Sequence, residues 1–332
     1  MTRREILAVA EAQRGKTRLG GVPTAFSVRS RAGSFDIVEH CHRLGLAGVS
    51  TMLEGIEPEP AKQLRKRVEG YGMQLILDVP PLPGGEDQSF KFGVALQTCK
   101  DAGAFCLHAA MTQRRYEQFD SLDAFRRDFQ RCQNVIALAE PVLRKYQIKL
   151  AIENHKGWRA AEQAAWLRRL DSEWVGVCFD CGNNMALCEE PMDTLKVLAP
   201  YTILCHIKDM AVDTYEEGFL LSEVVMGEGI LDLKQMVQTL RQKDPDMPFY
   251  LEMITRDPLK IPVFTDKYWV TFEDPSSPLP GRDLAKILGM ARKNPPKKPL
   301  PRVTGLSPEA AVKFEDDNNL KCIEYARQVL SI

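Results

Sequence analysis

The chain has 332 residues, with 44 Lys+Arg against 45 Asp+Glu, a net charge of −1, and it is 44% hydrophobic and 27% charged. That balance excludes a mainly disordered or collagen-like chain, and no basic excess marks a nucleic-acid binder. No apolar run approaches the roughly 18 residues of a membrane-crossing helix.

The opening Thr2-Arg3-Arg4 resembles the head of a twin-arginine export signal. The apolar run behind it, Ile6 to Ala10, is broken by Glu11, Gln13 and Arg14, too soon for a signal core. Residues 1–17 therefore read as a helical lead-in. Short apolar runs then recur at Gly21–Phe26, Gly48–Leu53, Gln74–Val79, Phe105–Ala110, Lys149–Glu153, Val175–Asp180, Ile203–Lys208 and Phe249–Met253. Their spacing is close to the roughly 30 residues of a βα unit. They are continuous rather than alternating, as expected of parallel strands covered on both faces. Between them, Ser34 reads as the cap of a helix over Phe35–Leu44 ended by Gly45, Ala61–Tyr71 is amphipathic and stops at Gly72, and Leu122–Tyr146 is a long helix. Eight strands alternating with helices predict a closed (β/α)₈ barrel over residues 18–260. A doubly wound open sheet is the rival, and no G-x-G-x-x-G follows the first strand to support it.

A C-terminal extension, 261–332, is expected to pack on the barrel. Between Pro275 and Pro308 it holds eight prolines and the basic residues Arg292, Lys293, Lys297, Lys298 and Arg302. The reading there is an arm around one short helix, Arg282–Ala291, serving as a subunit contact or a lid. Pro308 to Leu330 reads as a closing helix.

Nine cysteines, an odd number, sit mostly in apolar runs. They behave as small buried hydrophobes of a reducing compartment, which points to the cytoplasm. Cys178-x-x-Cys181 straddles a strand end, whereas a redox pair opens a helix.

The active site of such a barrel lies at the C-terminal ends of its strands. Strand three ends in Asp78 and strand four in His108. The next four strands end in Glu153, Asp180, His206 and Glu252. A single acid in such a place reads as a helix cap or an ion-pair partner. Three carboxylates and an imidazole converging on one mouth would repel unless a divalent cation sat among them. Oxygen-rich ligands with one nitrogen suit Mn²⁺ first, and also Mg²⁺, Co²⁺ or Zn²⁺.

Glu153-Asn154-His155, Phe179-Asp180-Cys181-Gly182-Asn183, His206-Ile207-Lys208-Asp209, Gly227-Glu228-Gly229-Ile230-Leu231-Asp232 and Leu251-Glu252 together resemble the xylose-isomerase-like barrel superfamily, and more narrowly its sugar phosphate isomerase/epimerase group. The resemblance runs from about residue 18 to 256. It implies that Glu153, Asp180, His206 and Glu252 bind one divalent metal, and that Glu153 and Glu252 move the substrate proton. Two positions depart from the ketose 3-epimerases: Asn183 stands where they carry His, and Ser222-Glu223-Val224-Val225-Met226 lacks their Arg before the Gly-x-Gly turn. The related DNA-repair endonucleases need an Asp-x-His before that turn, which is missing. No nucleic-acid or membrane partner is therefore expected. The resemblance implies a homo-oligomer, since many members are dimers or tetramers.

Other residues have two readings each. His155 is an acid/base or hydroxyl contact, or a structural hydrogen bond. Lys208, on the same side of its strand as His206, stabilises an enediolate or pairs with Asp209 or Glu153. Trp158 packs on a sugar face or on a helix. Arg256 and Lys260 meet an anionic substrate or solvent. His108 and Asn183 complete the expected substrate contacts. The function expected is a metal-dependent isomerase or epimerase of a small carbohydrate, working by proton transfer through a metal-bound enediolate. The alternatives are a lyase or dehydratase on a keto-sugar, keto-glycoside or keto-cyclitol, and a non-catalytic sugar-binding accessory barrel.

Overall fold

The computed structural model describes residues 18–274 and 279–332. The lead-in over 1–17, with its Thr2-Arg3-Arg4 head, and residues 275–278 of the proline-rich stretch lie outside the described residues. Seven barrel strands come first: β1 (Leu19–Gly21), β2 (Gly48–Thr51), β3 (Gln74–Asp78), β4 (Ala104–Ala109), β5 (Lys149–Glu153), β6 (Val175–Asp180) and β7 (Thr202–Ile207). A hairpin, β8 (Asp209–Tyr215) and β9 (Gly218–Val224), follows before the last barrel strand, β10 (Phe249–Leu251), and the short β11 (Leu259–Ile261). The barrel closes in parallel, with β1 between β2 and β10. The (β/α)₈ barrel expected from the run spacing is therefore present.

Helices return the chain between strands: α1 (Ile37–Arg43), α2 (Pro58–Gly70), α3 (Ser89–Asp101), α4 (Leu122–Tyr146), α5 (Ala160–Leu170), α6 (Pro191–Leu198) and α7 (Leu233–Lys243). The 25-residue α4 shows the logic. Ser121 accepts the Ala124 N–H at its start, and Phe125, Cys132, Ile136, Ala139 and Leu143 bury one stripe at helical spacing. None of the described helices is long and apolar enough to cross a membrane.

Three local expectations shift. The first strand is Leu19–Gly21, not Gly21–Phe26, because Pro23 has no N–H for a ladder and opens a 3₁₀ turn over Pro23–Phe26. Asp36, not Ser34, caps α1, accepting the Glu39 N–H at 3.0 Å. The hairpin had no counterpart in the sequence reading. β8, β9 and β11 form an antiparallel sheet beside the barrel, so a boundary at 260 falls inside one of its strands.

The main core lies inside the barrel and under its helices. Tyr250 fills the interior below the mouth, where its hydroxyl donates to Gln74 Oε1 at 3.1 Å. Gly20 and Gly48 make room for it, since a Cβ on either would collide with the Tyr250 side chain. A second core joins the antiparallel sheet to the extension, with Phe219, Leu221 and Ile261 against Tyr268, Phe272 and Ile287. Ile287 belongs to α8 (Gly281–Lys293), the helix expected within the arm. Buried Arg115 locks this layer to the barrel. It donates to both Glu162 oxygens and to the Thr271 carbonyl, and stacks on Phe125 and Phe272.

The closing helix α9 (Pro308–Tyr325) ends in a π-turn over Ala326–Leu330 and braces the chain after β1. Glu315 accepts the backbone N–H groups of Val28 and Arg29 at 2.6 and 2.9 Å. Asn319 donates to the Ala25 carbonyl, and Asn318 to Thr255 Oγ1. These contacts hold the turn that carries Thr24 against the end of β10. All nine cysteines are free and buried, so Cys178 and Cys181 form no disulfide.

Candidate metal centre

Parallel register sets the site. Asp180 lies beside His206 across β6 and β7, and His206 beside Tyr250 across β7 and β10. Side chains two residues apart on a strand share a face, so Glu252 stands above Tyr250 at the mouth and Lys208 above His206. Glu153, at the end of β5, completes the ring. The ligand atoms of Glu153, Asp180, His206 and Glu252 all lie within 4.8 Å of one another, and all four side chains are buried.

Each glutamate is held on both oxygens. Glu153 Oε1 accepts from Asn183 Nδ2 at 2.8 Å, and Oε2 lies 3.0 Å from His108 Nε2. His108 Nδ1 reaches Asp78 at 3.1 Å, so Asp78 connects the buried carboxylate to solvent. Glu252 accepts from Thr24 Oγ1 at 3.0 Å and from Lys208 Nζ at 2.9 Å. Asp180 accepts the N–H groups of Gly182 and Asn183 on Oδ1. Its Oδ2 faces Lys208 Nζ at 2.6 Å.

The charges are strongly perturbed. Burial and the Glu252 charge push the Glu153 carboxyl up, but the His108 hydrogen bond and the nearby imidazoles bring it down to about 2. Burial raises Asp180 well above the carboxylate range despite Lys208, while Lys208 pulls Glu252 well below it against burial. Burial pushes the His206 imidazole below its ordinary range, and neither of its ring nitrogens has a hydrogen-bond partner. A buried imidazole with an idle lone pair, 3.6 and 3.8 Å from two glutamate oxygens, is what a divalent cation would take up. Cys178 lies near His108 and His206, but burial and the three carboxylates hold its thiol protonated.

The cluster lines a cavity of about 630 Å³ at the barrel mouth. His108, His155, Asn183, Lys208 and Arg256 also line it. His155 makes the structural hydrogen bond that was one of its two readings: its Nδ1 donates to the Thr112 carbonyl at 3.3 Å, and burial then the Lys156 charge hold the ring down to about 4. The carbonyl can only accept, so Nε2 carries the lone pair. Lys208 pairs with Asp180, Glu252 and Glu223 rather than with Asp209 or Glu153. Arg256 is clamped by Glu223 at 2.6 and 3.1 Å. Lys260 projects from β11 over the Tyr215 ring and does not line the cavity. Trp158 is corrected from a sugar contact to core: it is buried against Phe129 and Trp166, with its indole N–H on Thr112.

Sequence reasoning missed Thr24, Lys156 and Glu223. Lys156 directly follows the Glu153-Asn154-His155 motif and Glu223 lies before the Gly-x-Gly turn, but only the fold sets Lys156 in the cavity wall and Glu223 against Lys208 and Arg256. Asn154 bridges β5 and β6, accepting the Asp180 N–H and donating to the Asp180 carbonyl. Asp209 cradles the Gly227–Leu231 turn through the N–H groups of Gly227, Gly229 and Leu231.

Over 106 residues the chain is 31% identical to the 3-oxo-isoapionate decarboxylase of Pectobacterium atrosepticum, a match covering 31% of this chain and only 38% of that protein. Its fold resembles a D-psicose 3-epimerase solved with D-fructose, with a TM-score of 0.58, 14% identity and coverage of 94% of this chain and 99% of that one. It also resembles a xylose isomerase-like barrel of Mycobacterium smegmatis solved with magnesium, with a TM-score of 0.54, 13% identity and coverage of 83% and 99%. At these identities the two structures establish the barrel alone. The family model of the xylose isomerase-like TIM barrel matches residues 31–270, and the chain belongs to that family.

Proposed function

We propose that this protein is a divalent-metal-dependent isomerase or epimerase of a small carbohydrate, a ketose, aldose or keto-sugar. The observation that carries the reading is the buried Glu153–Asp180–His206–Glu252 ring, in which His206 keeps both ring nitrogens free of hydrogen bonds. Mn²⁺ suits this mainly oxygen donor set best, and Mg²⁺, Co²⁺ and Zn²⁺ are the alternatives. Such a cation polarises a carbonyl and acidifies the neighbouring C–H. Glu153 and Glu252 approach the cavity from the fifth and eighth barrel strands. One takes a proton from carbon and the other returns it, to the opposite face in epimerisation or to the adjacent carbon in isomerisation. Lys208, already on Glu252, presents an ammonium to the oxygen that gains charge. His155 Nε2 is a neutral base at the same wall. His108 and Asn183 hold Glu153 ionised and oriented.

A second reading is a lyase acting on a keto-sugar. The 31% identity to a decarboxylase supports it, as does Asn183 at the position where the epimerase pattern carries His. Both readings form an enediolate and differ in which bond breaks. They separate by incubation of the Mn²⁺-loaded protein with keto-sugars in D₂O. Deuterium on carbon with no loss of water or carbon dioxide supports the first reading, and release of either supports the second. No exchange with any sugar, together with no metal uptake, would overturn both.

A further inference from the structure

The cations that line the cavity are not equally occupied. Arg114 is bound by both Glu117 oxygens, and Arg256 by both Glu223 oxygens. Lys208 has Asp180 and Glu252. Lys156 differs. Its side chain is 3% exposed, yet among the described residues no carboxylate oxygen lies within 4.0 Å of its ammonium. Its partner is the amide oxygen of Asn183, which also accepts from Lys208 at 3.3 Å. Two ammonium groups thus converge on one neutral oxygen in a buried wall.

A buried charge without a counter-ion is costly, and a second like charge adds to the cost. A packing role would be filled at lower cost by a methionine of similar length. Lys156 lies in the wall of the substrate cavity, beside the metal ring but not part of it.

We infer that the substrate carries an anionic group, a carboxylate or a phosphate, and that Lys156 is its counter-ion beside the metal ring. The substrate class is then an acidic small carbohydrate, a keto-sugar acid or a sugar phosphate, rather than a neutral ketose. Asn183 Oδ1 holds the two ammonium groups until the anion arrives. The inference rests on the enzyme reading above, and it names the substrate class of that same site.

The test is calorimetric titration of the full chain, loaded with Mn²⁺, against D-fructose, D-fructuronate and D-fructose 6-phosphate. Wild type is compared with Lys156→Met, and with Lys156→Gln should the first variant fail to fold. Wild type is expected to bind one of the anionic sugars at least tenfold more tightly than fructose, and which one identifies carboxylate or phosphate. The variant is expected to keep its metal and lose that preference to within about threefold. Equal binding of all three sugars, or of none, overturns the inference. So does a preference that survives in the variant, which would assign the anion to the metal alone. Wild type that takes up no Mn²⁺ sinks the enzyme reading separately, and the anion preference is then judged by the same criterion on the metal-free chain.

Discussion

Lys208 Nζ lies 2.6 Å from Asp180 Oδ2, with both side chains fully buried, and the same ammonium donates to Glu252 at 2.9 Å. One lysine thus faces two carboxyl groups of the buried Glu153–Asp180–His206–Glu252 cluster. Removing one partner of a buried ion pair leaves an uncompensated charge, which costs about 3–5 kcal/mol. Lys208→Met is therefore expected to destabilise the metal-free protein by roughly that amount. Added Mn²⁺ should recover part of the loss, since a cation supplies the missing charge. Denaturant midpoints with and without Mn²⁺ check this, and equal losses in both would argue against a shared electrostatic role.

Metal binding to the folded state stabilises it by mass action. At 100 times the dissociation constant the gain is about 2.7 kcal/mol, or roughly 4 °C in Tm for a chain of this size. Glu252→Gln and His206→Ala are expected to abolish that shift and to lose bound metal by mass spectrometry. A shift retained in both variants would place the metal elsewhere.

Asp209 uses both oxygens to receive four backbone N–H groups, from Met210, Gly227, Gly229 and Leu231. An asparagine there would turn an NH₂ toward donors and lose at least one of those bonds. Asp209→Asn is expected to cost about 2–3 kcal/mol. Gly229→Ala should cost about as much, because its Cβ would collide with the Asp209 carboxylate. Thermal unfolding of the two variants measures this. Unchanged Tm in both would show that the turn is not held by Asp209.

Burial, and then the Arg29 charge, hold His40 down to about 4, where it packs between Phe26 and Phe35. In the unfolded chain an imidazole titrates near 6.5. Between these values the unfolded state binds the extra proton, so stability rises with pH. The contribution is present above about 6.5 and is lost as pH falls toward 4. His40→Gln is expected to flatten the acid limb of the stability curve over that window. A wild-type slope retained in the variant would assign it to the carboxylates instead.

Much of this molecule was legible in its residue order. The strand rhythm gave a barrel because a parallel strand covered on both faces must be a short continuous apolar run. Glu153, Asp180, His206 and Glu252 stood out because each closes such a run, and one end of every barrel strand opens on the same mouth. These are local patterns combined with one rule of topology. Trp158, Lys156, Glu223 and Asp209 were not decided in that way. Trp158 and Asp209 serve packing and a turn, while Lys156 lines the cavity and Glu223 holds the cavity-lining Arg256 from a buried position. Their roles depend on which distant groups the closed barrel brings against them: Phe129 against Trp158, Asn183 against Lys156, Arg256 against Glu223 and the Gly227–Leu231 turn against Asp209. The antiparallel sheet is of the same kind, since β11 pairs with β9 across about 40 residues of intervening chain. The types and order of the strand-end side chains are properties of the sequence, because strand ends are local. Which charges are paired, and which one is left facing the cavity without a counter-ion, was decided only by tertiary packing, because burial and Coulomb interaction act through space and not along the chain.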